Sequence, residues 1–315
     1  MGKGDRNRQQ NARERIAAQQ AAAKKAEARR RAFIAGGSIL AVIVVVIVLI
    51  VVKATGGKPG TSAAKAPAAT AAVEASVASQ IASVPAATFN AVGAGPSGST
   101  AVSPLAPVAK KAAPLTSGGK PEMLYVGAEY CPYCAAERWV MAVALSRFGT
   151  FSGLHLIHSS STDTYSNTMT LSFYKSTYTS KYLVFTPVET TTTDSSVALQ
   201  APTKAQTALM GIYDAPPYVP SGSNEPIPFI DVGNKYIDDG AQYQPSVLGT
   251  NATPDASHFG LTWTQIAQDL KNPSSPVGQA IIGSANHMTA AICQMTNGQP
   301  GNVCNSAGVK AISQI

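Results

Sequence analysis

The pattern of apolar and polar positions divides the chain into four stretches. Residues 1–32 are polar and charged, rich in Ala, Gln, Arg, Lys and Glu from residue 9 onward. Twenty uncharged residues follow, Phe33 to Val52, most of them Val, Ile, Leu or Ala, and that length predicts a transmembrane helix. Residues 53–119 are dominated by Ala, Pro, Ser, Thr, Gly and Val and contain one aromatic, Phe89. Such a composition buries too little surface to offset chain entropy, so it predicts a flexible linker. From Lys120 to Ile315 nearly all the Tyr, Phe and Trp appear, and about 195 residues suffice for one domain with a substantial core.

Within 120–315 the periodicity names the elements. A short apolar run, Met123 to Val126, stops at Gly127 and reads as a strand; Ala135 to Phe148 carries Trp139, Val140, Val143, Ala144 and Leu145 at helical spacing. Leu154 to His158 reads as a second strand, and the resulting βαβ unit predicts that the two strands are parallel neighbours. Strands are expected over Thr168–Tyr174 and Tyr182–Thr190, and helices over Ala201–Tyr213, Thr262–Leu270 and Pro276–Met295. Phe229–Val232, the Gly233-Asn234 turn and the run ending at Ile237 predict a β-hairpin. Pro228 enters that hairpin where its missing N–H costs nothing and is a candidate for a cis peptide; an ordinary loop proline is the alternative.

Charge places these stretches. Residues 1–31 hold ten Lys and Arg against Asp5, Glu14 and Glu27, and the rest of the chain holds fourteen charges of each sign. The formal net charge of +7 therefore belongs to the tail, and the outer domain, mildly acidic, shows no nucleic-acid face. Arg29-Arg30-Arg31 beside the apolar run predicts a cytoplasmic N-terminus and a single-pass chain whose C-terminal domain is extracytoplasmic. The tail is expected against anionic lipid. A cleaved signal peptide is the alternative, although its apolar region and n-region are usually shorter.

All four cysteines lie in the outer segment. Cys131 and Cys134 stand at i and i+3, at the start of the helical pattern. Unpaired N–H groups there stabilise a thiolate, and a partner one turn later can close back to release a mixed disulfide. Tyr133, between them, is expected to be exposed to a partner. Cys293 and Cys304 flank the turn signals Asn297-Gly298 and Pro300-Gly301, which favours a structural disulfide in an oxidising compartment. A second redox pair, or zinc shared with the first pair, are the alternatives. His155 and His158 fall on opposite faces of a strand, and no metal or cofactor is assigned.

The order of strand, CxxC helix, strand, insertion, helix, Ile227-Pro228 before a Gly-turn hairpin, and helix is similar to the thioredoxin fold over roughly Lys120 to Leu270. That fold class is α/β, a central mixed sheet flanked by helices, here with a Ser/Thr/Tyr-rich insertion at 160–200. More narrowly, the anchor, the tether, Glu129-Tyr-Cys-Pro-Tyr-Cys-Ala-Ala-Glu-Arg-Trp139 and the C-terminal Cys293 and Cys304 resemble the domain of unknown function 929 family of prokaryotic thioredoxin-like proteins. The resemblance implies that Cys131 is the exposed nucleophile and Cys134 the buried resolving thiol. It implies that Pro228 is a cis-proline packed on the disulfide, with the Ile227 backbone free to pair with a peptide. Thioredoxins keep a buried carboxylate six positions before the first cysteine, where this chain has Tyr125; Glu129 either substitutes for it or is a surface acid. The insertion either caps the site or extends the sheet.

The expected function is a membrane-anchored extracytoplasmic thiol–disulfide oxidoreductase, oxidase or isomerase rather than reductase. Its partners would be protein thiols and disulfides outside the membrane and a membrane redox partner. The competing expectation is a non-catalytic binding or scaffold module in which the Cys131–Cys134 bond is structural.

Overall fold

The computed structural model describes residues 69–97, 101–108, 112–219 and 226–312. The expected basic tail, 1–32, and transmembrane helix, 33–52, lie outside the described residues. Among those described, no helix is long and apolar enough to cross a membrane.

A mixed sheet forms the centre. Strand β3 (Lys120–Gly127) is its middle, with β8 (Val184–Glu189) parallel on one edge and β9 (Phe229–Val232) antiparallel on the other. Beyond β9 come β10 (Tyr236–Asp239) and the two-residue β1 (Ala106–Pro107), both antiparallel, and β2 (Thr116–Ser117) turns into the start of β3. The pleat sends alternate side chains of β3 to opposite faces. Met123 and Tyr125 enter a large core with helices α3 (Pro132–Leu145), α5 (Trp263–Asp269) and α6 (Pro276–Met295). Leu124 and Val126 enter a smaller core with Met210 and Tyr213 of α4 (Lys204–Tyr213). Burial on both faces explains why this strand is a continuous apolar run and does not alternate.

The hairpin forms as the sequence predicts, with Gly233 at φ +70° and Asn234 at φ +54°. The expected parallel pairing of the second strand does not. Strand β5 (His155–His158) pairs antiparallel with β6 (Met169–Ser172) in a separate ladder, and β4 (Gly149–Ser152) pairs with β7 (Thr177–Ser180) in another. Indole N–H groups fix the β5–β6 ladder to the helical layer: Trp139 donates to the Met169 carbonyl at 2.9 Å, and Trp263 to those of Ile157 and Thr170, both at 2.8 Å. The parallel neighbour of β3 is β8, which lies inside the stretch expected as an insertion. That correction makes 160–200 part of the central sheet as well as a covering.

The flexible-linker expectation for 53–119 is overturned where the chain is described. Helices α1 (Ala71–Ala82) and α2 (Ala86–Val92) fold there, with Val77, Ile81 and Phe89 buried. Val73, Val77 and Ile81 stand four residues apart, one apolar stripe on an otherwise Ala/Ser helix. Asn286 of α6, fully buried, donates to the carbonyls of Phe89 and Gly93 at 2.9 and 2.8 Å, and the Arg147 guanidinium lies 4.1 Å above the Phe89 ring. Gly283 of α6 faces Gly95 so closely that an added Cβ would stand 2.5 Å from the Gly95 Cα. Gly283→Ala is therefore expected to cost about 1–3 kcal/mol in a urea melt; an unchanged midpoint would mean that this segment is not docked.

The disulfide Cys293–Cys304 is formed and closes the turn to α7 (Gly301–Cys304), beyond which α8 (Ala307–Lys310) packs on α2. This occupies two of the four sulfurs of the zinc alternative, and among the described residues no His, Cys, Asp or Glu cluster is a metal site.

Among the described residues several carboxylic acids are carried inside, Glu137, Asp231 and Asp238 among them, and burial raises all three. Glu137, fully buried, accepts from the Gln242 N–H at 3.0 Å, and burial pushes it up to about 8. Asp231 accepts from the Asn234 N–H at 2.7 Å and is pushed by burial to about 7. Each holds its proton in the folded chain after the unfolded chain has released it, near pH 4. Their stabilisation is thus complete in acid and lost as pH rises toward 8, by up to about 1.4 kcal/mol per pH unit per proton. Melts between pH 5 and 8 are expected to show falling stability, with a shallower fall in Glu137→Gln; identical slopes would remove Glu137 from the linkage.

Candidate functional site

The loop after β3 and the start of α3 place the two cysteines. Cys131 is the N-cap, its sulfur accepting from the Cys134 N–H at 3.2 Å, and Pro132 at the first helical position needs no donor partner. Across the gap, the Ile227–Pro228 peptide is cis, and the Cys131 thiol donates to the Ile227 carbonyl at 3.5 Å. Sequence elements 96 residues apart thus meet at one sulfur, and the Ile227 carbonyl, expected to be free for a peptide, accepts from the thiol.

The two thiols are driven in opposite directions. Cys131 is pulled below the ordinary thiol range, first by the hydrogen bond from the Cys134 side chain, then by the Cys134 and Tyr133 backbone N–H groups and the Arg138 charge, with burial opposing. Cys134 is pushed well above it, first by burial, then by its bond to Cys131 and the charge there, with Arg138 opposing. A thiol that ionises early beside one that holds its proton is the arrangement that thiol–disulfide exchange requires.

The expected exposure of Cys131 is reduced to 4 %, against none for Cys134. The loop from Ser160 to Asn167 packs beside the two cysteines, on Tyr130 and Tyr133. Its Ser160 N–H donates to the Tyr130 carbonyl at 2.8 Å, and the Tyr165 ring meets Tyr133 edge-on at 5.8 Å. Tyr133 keeps 36 % of its surface, in line with a residue facing a partner.

Glu129 stands two residues before Cys131. It is half-buried and accepts from Ser172 Oγ at 2.7 Å. The carboxylate behind the thiols is Glu189, at the end of β8, which the sequence reading missed together with its partner. Arg138 Nε and Nη2 bond the two Glu189 oxygens at 2.8 and 2.7 Å, and Nη2 also reaches the Ala128 carbonyl at 2.6 Å. Both side chains are fully buried. Tyr125 donates to Glu189 at 3.5 Å and so closes the same network. The signal was available: Arg138 is a charge inside an apolar helical pattern, four positions after Cys134 and hence on its face.

His155 and His158 do not converge: one faces Glu74 at 3.5 Å, the other the Ser159 carbonyl at 2.8 Å. A cavity of about 500 Å³ lies against Cys293, Cys304, Lys235 and Lys310, and none of its lining residues belongs to the dithiol. No curated protein matches the chain, and no solved structure does. A family described as a domain of unknown function, DUF929, matches residues 107–294, more than half of the sequence, and the chain belongs to that family.

Proposed function

We propose that the protein is a membrane-anchored, extracytoplasmic thiol–disulfide oxidoreductase of thioredoxin-like fold. The observation that carries this reading is the Cys131 sulfur, which caps a helix and receives the Cys134 N–H opposite the cis Ile227–Pro228 peptide. A parallel β3–β8 pair, a hairpin after the proline and helices on both sheet faces support the likeness to thioredoxin. In the reducing direction, the Cys131 thiolate attacks a substrate disulfide and one substrate sulfur leaves with the electron pair. Cys134 then attacks Cys131, and the second substrate sulfur leaves as a thiol. The oxidising direction is the reverse, with the Cys131–Cys134 bond accepting two electrons from a substrate dithiol. Compartment and the Pro132-Tyr133 pair favour that direction.

Full-length Cys134→Ser expressed in its cells is expected to yield discrete mixed disulfides on non-reducing gels, which vanish when Cys131 is also replaced. The small exposure of Cys131 favours the second reading, a binding module with an inert pair. Absence of adducts, with a Cys131 that resists iodoacetamide at neutral pH, would decide for that module.

A further inference from the structure

We propose that Arg138 is the positioning residue of the resolving step: its guanidinium, clamped one helical turn beyond Cys134, stabilises the Cys134 sulfur as it becomes anionic. This rests on the dithiol reading above and adds to it the group that makes the second half-reaction possible. In the mixed disulfide, Cys131 is bonded to the substrate and no longer supplies a charge or a thiol partner. Cys134 must then lose its proton in a place with no solvent exposure, where an unpaired anion is costly.

The groups that face it are few. They are Cys131 at the N-cap, Arg138 on its own helix, Tyr125 of β3, and the Ala128 backbone and Tyr130 of the preceding loop, with Glu189 of β8 behind Arg138. Only Arg138 among them is a cation. Its Nε and Nη2 are taken by Glu189 and Ala128, whereas Nη1 is buried without a hydrogen-bond partner. An unpartnered guanidinium nitrogen inside a protein leaves donor capacity unused, and here it belongs to a side chain one turn from the sulfur that must ionise. Glu189 fixes the guanidinium and also partly cancels it, so the ion pair sets how much positive charge Cys134 meets. The step balances: the Cys134 thiol and the Cys131–substrate disulfide give the Cys131–Cys134 disulfide and a substrate thiol, which receives the proton.

The test uses the reduced full-length chain in detergent micelles and a cysteine peptide carried as its mixed disulfide with thionitrobenzoate. Release of the coloured thiol reports Cys131 attack; mass spectrometry of acid-quenched samples follows the Cys131–peptide adduct and its resolution. Arg138→Met combined with Glu189→Met removes the charges without leaving either one alone. At neutral pH it is expected to slow resolution about tenfold and make the adduct accumulate, with recovery as pH rises. Glu189→Gln keeps the shape and frees the Arg138 charge, and is expected to speed resolution about threefold. A merely structural pair would not give opposite signs. A folded double variant that resolves at the unaltered rate overturns the inference, as does a Glu189→Gln chain that resolves more slowly. If the unaltered protein releases no coloured thiol, the dithiol reading itself fails and this inference with it.

Discussion

Cys131→Ser is expected to reduce disulfide exchange to the uncatalysed background, a loss on the order of 10³ or more, measured by turnover of a glutathionylated peptide. The size of the effect follows from what is removed. A serine hydroxyl at the same N-cap still accepts from the Cys134 N–H, so the helix start survives, but the hydroxyl does not ionise near neutrality and forms no bond to sulfur. Cys134 cannot replace it, because it is fully buried and held well above the ordinary thiol range. Cys134→Ser differs in kind: one attack per molecule persists, with no turnover. A Cys131→Ser chain with more than a tenth of the original turnover would end the proposal that this sulfur is the nucleophile.

Glu189→Leu is expected to destabilise the fold by about 3–5 kcal/mol, the largest effect of any single change at the site on stability. The glutamate accepts from Arg138 twice, from Tyr125 and from the Phe173 N–H, the last at 3.3 Å. Its loss strands a guanidinium with no solvent exposure. Replacing both partners by apolar side chains of similar volume removes the stranded charge, so the double variant is expected to recover most of the loss. Urea melts of the two single variants and the double variant complete the cycle. A loss below about 1 kcal/mol would show that water reaches Arg138, which would also weaken its hold on Cys134.

The sequence carried the site better than it carried the tertiary pairing around it. Local rules were enough for the N-cap cysteine, the proline ahead of the hairpin and the Gly233-Asn234 turn, because each depends on a few neighbouring residues. Pairing of β5 was not local. A four-residue strand has the same alternation whether its partner is β3 or β6, and the choice is made by Trp139 and Trp263 pinning β6 from two helices. Composition misled the reading of 53–119: Ala, Ser and Pro dominate it, and the stripe of Val73, Val77 and Ile81 is only three residues among them. Glu189 was hidden for a different reason: a charge at the end of an apolar strand reads as the strand meeting solvent. Only the fold brings Arg138 under it.

One consequence concerns where this polypeptide can be cut. The helices before β1 and helix α8 both fall outside the family match, yet they touch: the Gly308 N–H donates to Asn90 Oδ1 at 2.9 Å, and a Cβ on Gly308 would collide with the Phe89 carbonyl at 2.4 Å. The packed unit is therefore wider than the segment that the family match covers. Trimming to the shared boundaries would strip two facing flanks from α6 at once and bare its apolar side, inviting aggregation.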